Sequence, residues 1–337
     1  MKRTTTATAA LAAALVLAGA PPASATGPGV HDAAGRGDDL APVALGVLPG
    51  SQGSFATDLD DRDRVVGWAY VDISTARSHA WRWSDGRLTD LGTLAGPEGY
   101  SFASATNDRG QVVGTSSAPD GAGQVGFLWE DGVMTALSTP QDAFSPADID
   151  DRGRVVGTGG GSGSLRAQVW RNGVLTTLPA PAECAQTTAG VLNDRGTIVG
   201  ACYTSGGEGY ALLWQGAGRS VRALDASMQV HDVDDRGWLA GQDLTTGRAT
   251  VWAPQRGGGW RAVDLGAGES STALDFGRAG EVAVRGATGS GTGVRALLWR
   301  RGELTVLPGG DGYEPAAANA RGHVVGSSFQ VTPLLWR

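Results

Sequence analysis

Short apolar runs separated by polar, turn-forming tetrads fill the chain from about residue 40 onward, and they come in a fixed order. Small residues such as "SFASAT" (101–106) lead into a tetrad, "NDRG" (107–110), and an apolar run, "QVVGTS" (111–116), follows. After a loop of variable length, a third run ends in Trp, as in "GFLW" (126–129). An Asp-Gly or Asn-Gly pair then opens a fourth run, as in "EDGVMTAL" (130–137). Such a pair between apolar runs signals a hairpin, because Gly takes the positive φ the turn requires. Runs such as "ALLW" (211–214) are apolar at successive positions, so both faces of the strand are expected to be buried.

Anchored on the last residue of the tetrad, the phrase falls at Asp63, Gly110, Gly153, Gly196, Gly237, Gly280 and Gly322, with steps of 47, 43, 43, 41, 43 and 42 residues. Seven copies of four short strands predict seven antiparallel sheets. Sheets buried on both faces stack against one another, which predicts an all-β, seven-bladed β-propeller forming one domain over 39–337. The Trp that ends each third strand (Trp83, Trp129, Trp170, Trp214, Trp252, Trp299 and Trp336) is then blade-to-blade packing rather than a ligand platform. The last copy stops one strand short, at "LLWR" (334–337). The segment "LAPVALGVL" (40–48) is predicted to supply its outer strand and to close the ring, removing an exposed edge.

The acid-rich tetrads raise the question of calcium. "DIDDRG" (148–153) and "DVDDRG" (232–237) follow the start of a cation loop, but Arg152 and Arg236 occupy a ligand position, and Gly159 and Asp243 stand where a late Glu is needed. The alternative is a type I turn followed by a left-handed residue, with the first Asn or Asp capping the turn's own N–H groups. Asp63 replaces Gly at the left-handed position and is one of the few residue types that tolerate it.

Residues 1–25 read as a signal peptide: basic Lys2 and Arg3, an apolar run, and the small-x-small site "ASA" (23–25). Residues 26–38 read as a linker, and no further apolar span suggests a membrane anchor. The chain is therefore expected to be secreted. Loss of the leader would leave 25 Arg and no Lys against 34 acidic residues. That balance gives no footprint for nucleic acid. Arg without Lys, with abundant Ala and Gly, is the usage of a GC-rich bacterial genome. Cys184 and Cys202 flank one predicted hairpin, and in an oxidising compartment a structural disulfide is expected, with free thiols as the alternative.

Familiar catalytic signatures are missing. The four His residues (His31, His79, His231, His323) are scattered, there is no HExxH or G-x-S-x-G, and "GTGGGSGS" (157–164) lacks the Lys of a phosphate loop and reads as a flexible connection. "RGD" (36–38) lies in the linker. The remaining candidates are geometric. Five places before the anchor, the inner strand carries an acid in four of seven copies: Asp58, Asp148, Asp232 and Asp275. They are expected to line the channel mouth, with Thr57, Ser104 and His231 one register over. A partial ring of carboxylates suits a polar ligand or cation, and solvated channel lining is the plain alternative.

The repeat resembles the extracellular HAF-repeat family of bacteria, named for a His-Ala-Phe triplet near the end of the third strand. "HAW" (79–81) keeps the triplet once, and "NDRGTIVG" (193–200) keeps the tetrad and the run after it. The resemblance covers residues 40–337 and implies a secreted repeat protein, with no catalytic residue or cofactor to carry over. The expectation is a monomeric, non-enzymatic binding protein without cofactors. Its partner would be an extracellular glycan, a cell-wall polymer or another protein. The alternative is a polysaccharide-acting hydrolase or lyase using the channel-mouth carboxylates.

Overall fold

From residue 40 onward the apolar runs become strands: among the described residues the computed structural model has 28 strands in seven four-stranded antiparallel sheets and no helix. It describes residues 40–337 apart from 122, 140–141, 161–163, 278, 288–292 and 329–331. The signal peptide, linker, RGD triplet and His31 lie outside the described residues. Within blades 1 to 6 the strands pair in chain order, and the first strands of neighbouring blades pack together around the central channel.

The uninterrupted apolar runs have a direct explanation. There is no single core; seven apolar clusters fill the seven gaps between blades. Successive residues of one strand feed different gaps. Val65 packs toward blade 7 and Val66 toward blade 2, while Leu212 faces blade 3 and Leu213 faces blade 5. All seven repeat Trp residues pack into the gap before their own blade. Trp214 and Trp336 are fully buried, and their indole N–H groups donate to Pro179 O at 2.7 Å and Pro308 O at 2.9 Å.

The N-terminal segment closes the ring. Pro42–Ala44 pairs antiparallel with Leu334–Trp336 as the outer strand of blade 7. The strand is shorter than the nine residues expected, because Gly46 adopts φ +81° and turns the chain. Beyond the turn, Leu48 joins Leu45 in the cluster between blades 7 and 1. A second departure concerns "GTGGGSGS". Val155–Gly159 is strand, not loop, and Gly157 is there because a Cβ would lie 2.1 Å from Ser145 O on the inner strand. The cysteines form a disulfide, Cys184–Cys202, that joins the first two strands of blade 4 with Cα atoms 5.4 Å apart.

Turn chemistry follows expectation. Asp85-Gly86, Asp131-Gly132 and Asn172-Gly173 have positive φ at both residues, as a two-residue hairpin turn requires. The tetrads are type I turns closed by a left-handed residue: Asp63 N donates to Asp60 O, Asp60 Oδ1 accepts from Arg62 N and Arg64 N at 2.9 Å, and Asp63 has φ +62°. The Asp150 carboxylate is committed in the same way to Arg152 N, Arg154 N and the Arg154 guanidinium. Its oxygens serve the turn rather than a cation.

Candidate functional site at the channel mouth

The seven tetrads open onto one end of the channel, where a funnel of about 500 Å³ is lined by two tiers of acids. The deeper tier is Asp58, Asp148, Asp232 and Asp275 from the inner strands of blades 1, 3, 5 and 6. Sequence placed these four together, and the structure brings them to one site. Blades 2, 4 and 7 hold Ala105, Val191 and Ala317 at that register.

Every inner strand carries a bulge just before this position, as between Ala56 and Asp58 or Val230 and Asp232. The extra residue changes which groups face the channel. Thr57 is that residue in blade 1, and its hydroxyl donates to Ala103 O of the next blade at 3.2 Å rather than lining the funnel. His231 holds the same place in blade 5. It is half-buried, Nε2 has no hydrogen-bond partner among the described residues, and burial lowers its pKa.

The inner acids are anchored across the blade gaps. Asp58 Oδ1 accepts from Leu59 N and Oδ2 from Thr106 N of blade 2, both at 2.8 Å. Asp148 accepts from Ile149 N at 2.7 Å and from Leu192 N of blade 4 at 2.8 Å. Asp232 and Asp275 take Phe276 N and Ala318 N, at 2.8 and 2.7 Å. The inner strands of adjacent blades share no sheet, so these N–H groups need acceptors from elsewhere.

Such acids are not merely solvated lining. They are half-buried, and burial is the largest influence on each, pushing Asp148 up to about 7 against the opposing N–H bonds. Burial raises Asp58 well above the usual carboxylate range, and the charge of Asp148 adds to the effect. Asp232 and Asp275, on neighbouring blades, are close enough for their carboxyls to influence each other. Burial and the charge of Asp232 raise Asp275 well above its usual value, and burial raises Asp232 as well. Close carboxyl pairs share one proton because both cannot ionise cheaply.

The outer tier went unread in the sequence. Asp61, Asp108, Asp151, Asp194 and Asp235 stand second in their tetrads and rim the funnel. Ala320 N donates to Asp61, Asp61 N to Asp108, Asp108 N to Asp151 and Asp151 N to Asp194, at 2.7 to 3.0 Å, linking consecutive blades. The available signal was Asp at a turn position whose backbone geometry does not require it. His79 and His323 lie elsewhere, 2.8 Å from Asp90 and 2.7 Å from Asp63. Among the described residues no group of three or more His, Cys, Asp or Glu is arranged to hold a metal ion.

No protein-family model and no curated protein sequence matches the chain. Solved propellers do. A puromycin hydrolase variant in complex with PGG is 16% identical, with TM-score 0.57, covering 86% of this chain and 52% of that one. A Mycobacterium tuberculosis puromycin-hydrolyzing peptidase is 13% identical with TM-score 0.55 and the same coverages. This chain thus spans about half the length of those two proteins. A gluconolactonase from Xanthomonas campestris is 11% identical with TM-score 0.43, covering 88% of this chain and 90% of that one. The likeness establishes the seven-bladed propeller fold. It also corrects the expectation of a non-enzymatic binding protein: the named neighbours are enzymes. In the funnel itself, burial raises all four inner carboxyls above the usual range, as at many functional sites.

Proposed function

We propose that the chain is an acid–base hydrolase acting on a polysaccharide at the funnel. Supporting this is the placement in one funnel of a carboxyl poised near neutrality, Asp148, and the raised neighbouring carboxyls Asp232 and Asp275. Asp232 is near enough to Asp148 for its charge to raise the Asp148 pKa. In the proposed reaction, Asp148 gives its proton to the leaving glycosidic oxygen as the C–O bond breaks. A water oxygen bonds to the anomeric carbon and loses its proton to Asp232, which Asp275 holds in place. Solvent then returns Asp148 and Asp232 to their starting states. General acid–base catalysis of this kind is worth roughly 10²–10⁴-fold per group.

The apparent leader (residues 1–25) and the HAF-type repeat favour an exported enzyme of the bacterial envelope or exterior. The acidic funnel favours neutral or cationic glycans over polyanions. The test is incubation of residues 26–337 with insoluble polysaccharides and isolated cell walls, with reducing ends measured in the supernatant. Soluble product that disappears in Asp148→Asn and Asp232→Asn is expected. Absence of product from every substrate, or undiminished product from both variants, overturns the proposal.

A further inference from the structure

Five aromatic side chains form a continuous track at the other end of blades 1 and 2, away from the tetrads. Phe55 stacks on Trp68 with ring centroids 4.5 Å apart. Trp68 meets Tyr70 at 5.1 Å and Phe102 at 5.2 Å, and Phe102 meets Tyr100 at 5.9 Å. All five are half-buried. Tyr100 is also a wall of a separate cavity of about 340 Å³, whose polar side chains include Asp72, Arg77 and Glu98. Arg77 pairs with Glu98 through its terminal nitrogen, while its Nε is buried without a hydrogen-bond partner among the described residues.

Blade packing does not account for the track. Phe55 and Trp68 are direct cross-strand partners, and the same pair is Ser145–Thr158 in blade 3, Gln229–Gln242 in blade 5 and Glu314–Ser327 in blade 7. The blade therefore closes with polar side chains there. Aromatic residues at two adjacent copies, incompletely buried and running into a polar cavity, match the needs of a sugar ring. Its C–H face carries slight positive charge and packs on the negative π face, while its hydroxyls seek carboxylate and guanidinium partners.

We propose that Phe55, Trp68, Tyr70, Tyr100 and Phe102, with the Asp72–Arg77–Glu98 cavity, bind a neutral polysaccharide chain at a site separate from the funnel. The choice of ligand class rests on the hydrolase reading above. The site holds a long polymer by one face while the opposite face works on it. The net charge of −7 disfavours a polyanion.

Electrophoresis of residues 26–337 through gels containing hydroxyethyl cellulose, mannan or polygalacturonate tests this. Retardation is expected in at least one neutral gel and not in polygalacturonate. Trp68→Ala and Tyr100→Ala should each weaken binding by about tenfold or more, with Trp68→Phe largely retaining it. Tyr100→Ala guards against a folding defect in Trp68→Ala. Retardation by polygalacturonate alone, no retardation in either neutral gel, or wild-type retardation of both alanine variants overturns the site. Loss of binding in Asp148→Asn with retention in Trp68→Ala places binding in the funnel and overturns the track, leaving the hydrolase intact. Track-dependent binding without product from any polysaccharide upholds the track and counts against the hydrolase.

Discussion

Asp63 Oδ1 lies 2.7 Å from His323 Nδ1 across the seam where the first blade meets the last. The same oxygen accepts from Asn319 Nδ2 at 2.8 Å, and Oδ2 accepts from Arg321 Nη1 at 3.3 Å. Asp63 is the one anchor residue that is not Gly, and its side chain is the tie that the Gly copies cannot make.

Asp63→Gly, the change toward the repeat's own consensus, is therefore expected to destabilise the protein. Relief of the positive φ is worth about 1 kcal/mol. Loss of the acceptor for the largely buried His323 costs about 1–3 kcal/mol, while Asn319 keeps Asp60 O and Arg321 reaches solvent. Urea or thermal unfolding of the variant should show a lower midpoint; an unchanged or higher one would mean that backbone strain dominates.

Removal of residues 40–49 should cost far more than its length suggests. It exposes the edge of Leu334–Trp336 and opens the cluster holding Leu45, Leu48, Trp81 and Trp83. An exposed edge strand over an opened core invites association. Size-exclusion chromatography is expected to show aggregation, and a well-folded monomer would contradict the closure argument.

Paired replacement of Cys184 and Cys202 by Ala removes the cross-link within blade 4, which closes a separation of 18 residues. A loop of that length is worth about 3 kcal/mol. Chemical denaturation under non-reducing conditions should reveal a loss of that order.

Stability should fall as pH rises from 5 to 8. Asp148 sits at about 7 when folded, above its ordinary value near 3.8, and Asp58, Asp232 and Asp275 are raised as well. A raised carboxyl favours the folded state fully below the unfolded pKa, and that advantage is lost as pH climbs through the folded one. Asp72, lowered to about 2, acts only in stronger acid. Thermal midpoints should be higher at pH 5 than at pH 8, with a smaller difference in Asp148→Asn. That variant also loses one of two backbone acceptors, so its midpoint at pH 5 should drop.

The ring was readable because burial on both faces of every blade leaves a linear signature. Val65 and Val66 must both be apolar when each fills a different gap. Turn chemistry at Asp131-Gly132 is equally local. The four inner acids were readable as a register repeated from copy to copy. Their acceptor role was not, since it depends on a bulge and on Thr106 or Leu192, more than 40 residues away in the chain. Asp63 looked like mere tolerance of an unusual φ, because its partners lie at the far end of the sequence. The aromatic track escaped for the opposite reason. It departs from the repeat, so Trp68 has no counterpart to mark it.

The pH dependence of polysaccharide hydrolysis, followed by reducing ends from pH 4 to 9 for wild type, Asp148→Asn and Asp232→Asn, tests the central claim most directly. The rate is expected to decline above about pH 7, as Asp148 loses its proton. Both variants should be slower by about a hundredfold or more while still showing cooperative unfolding. Hydrolysis that ignores pH across this range, or that persists in both variants, would contradict it.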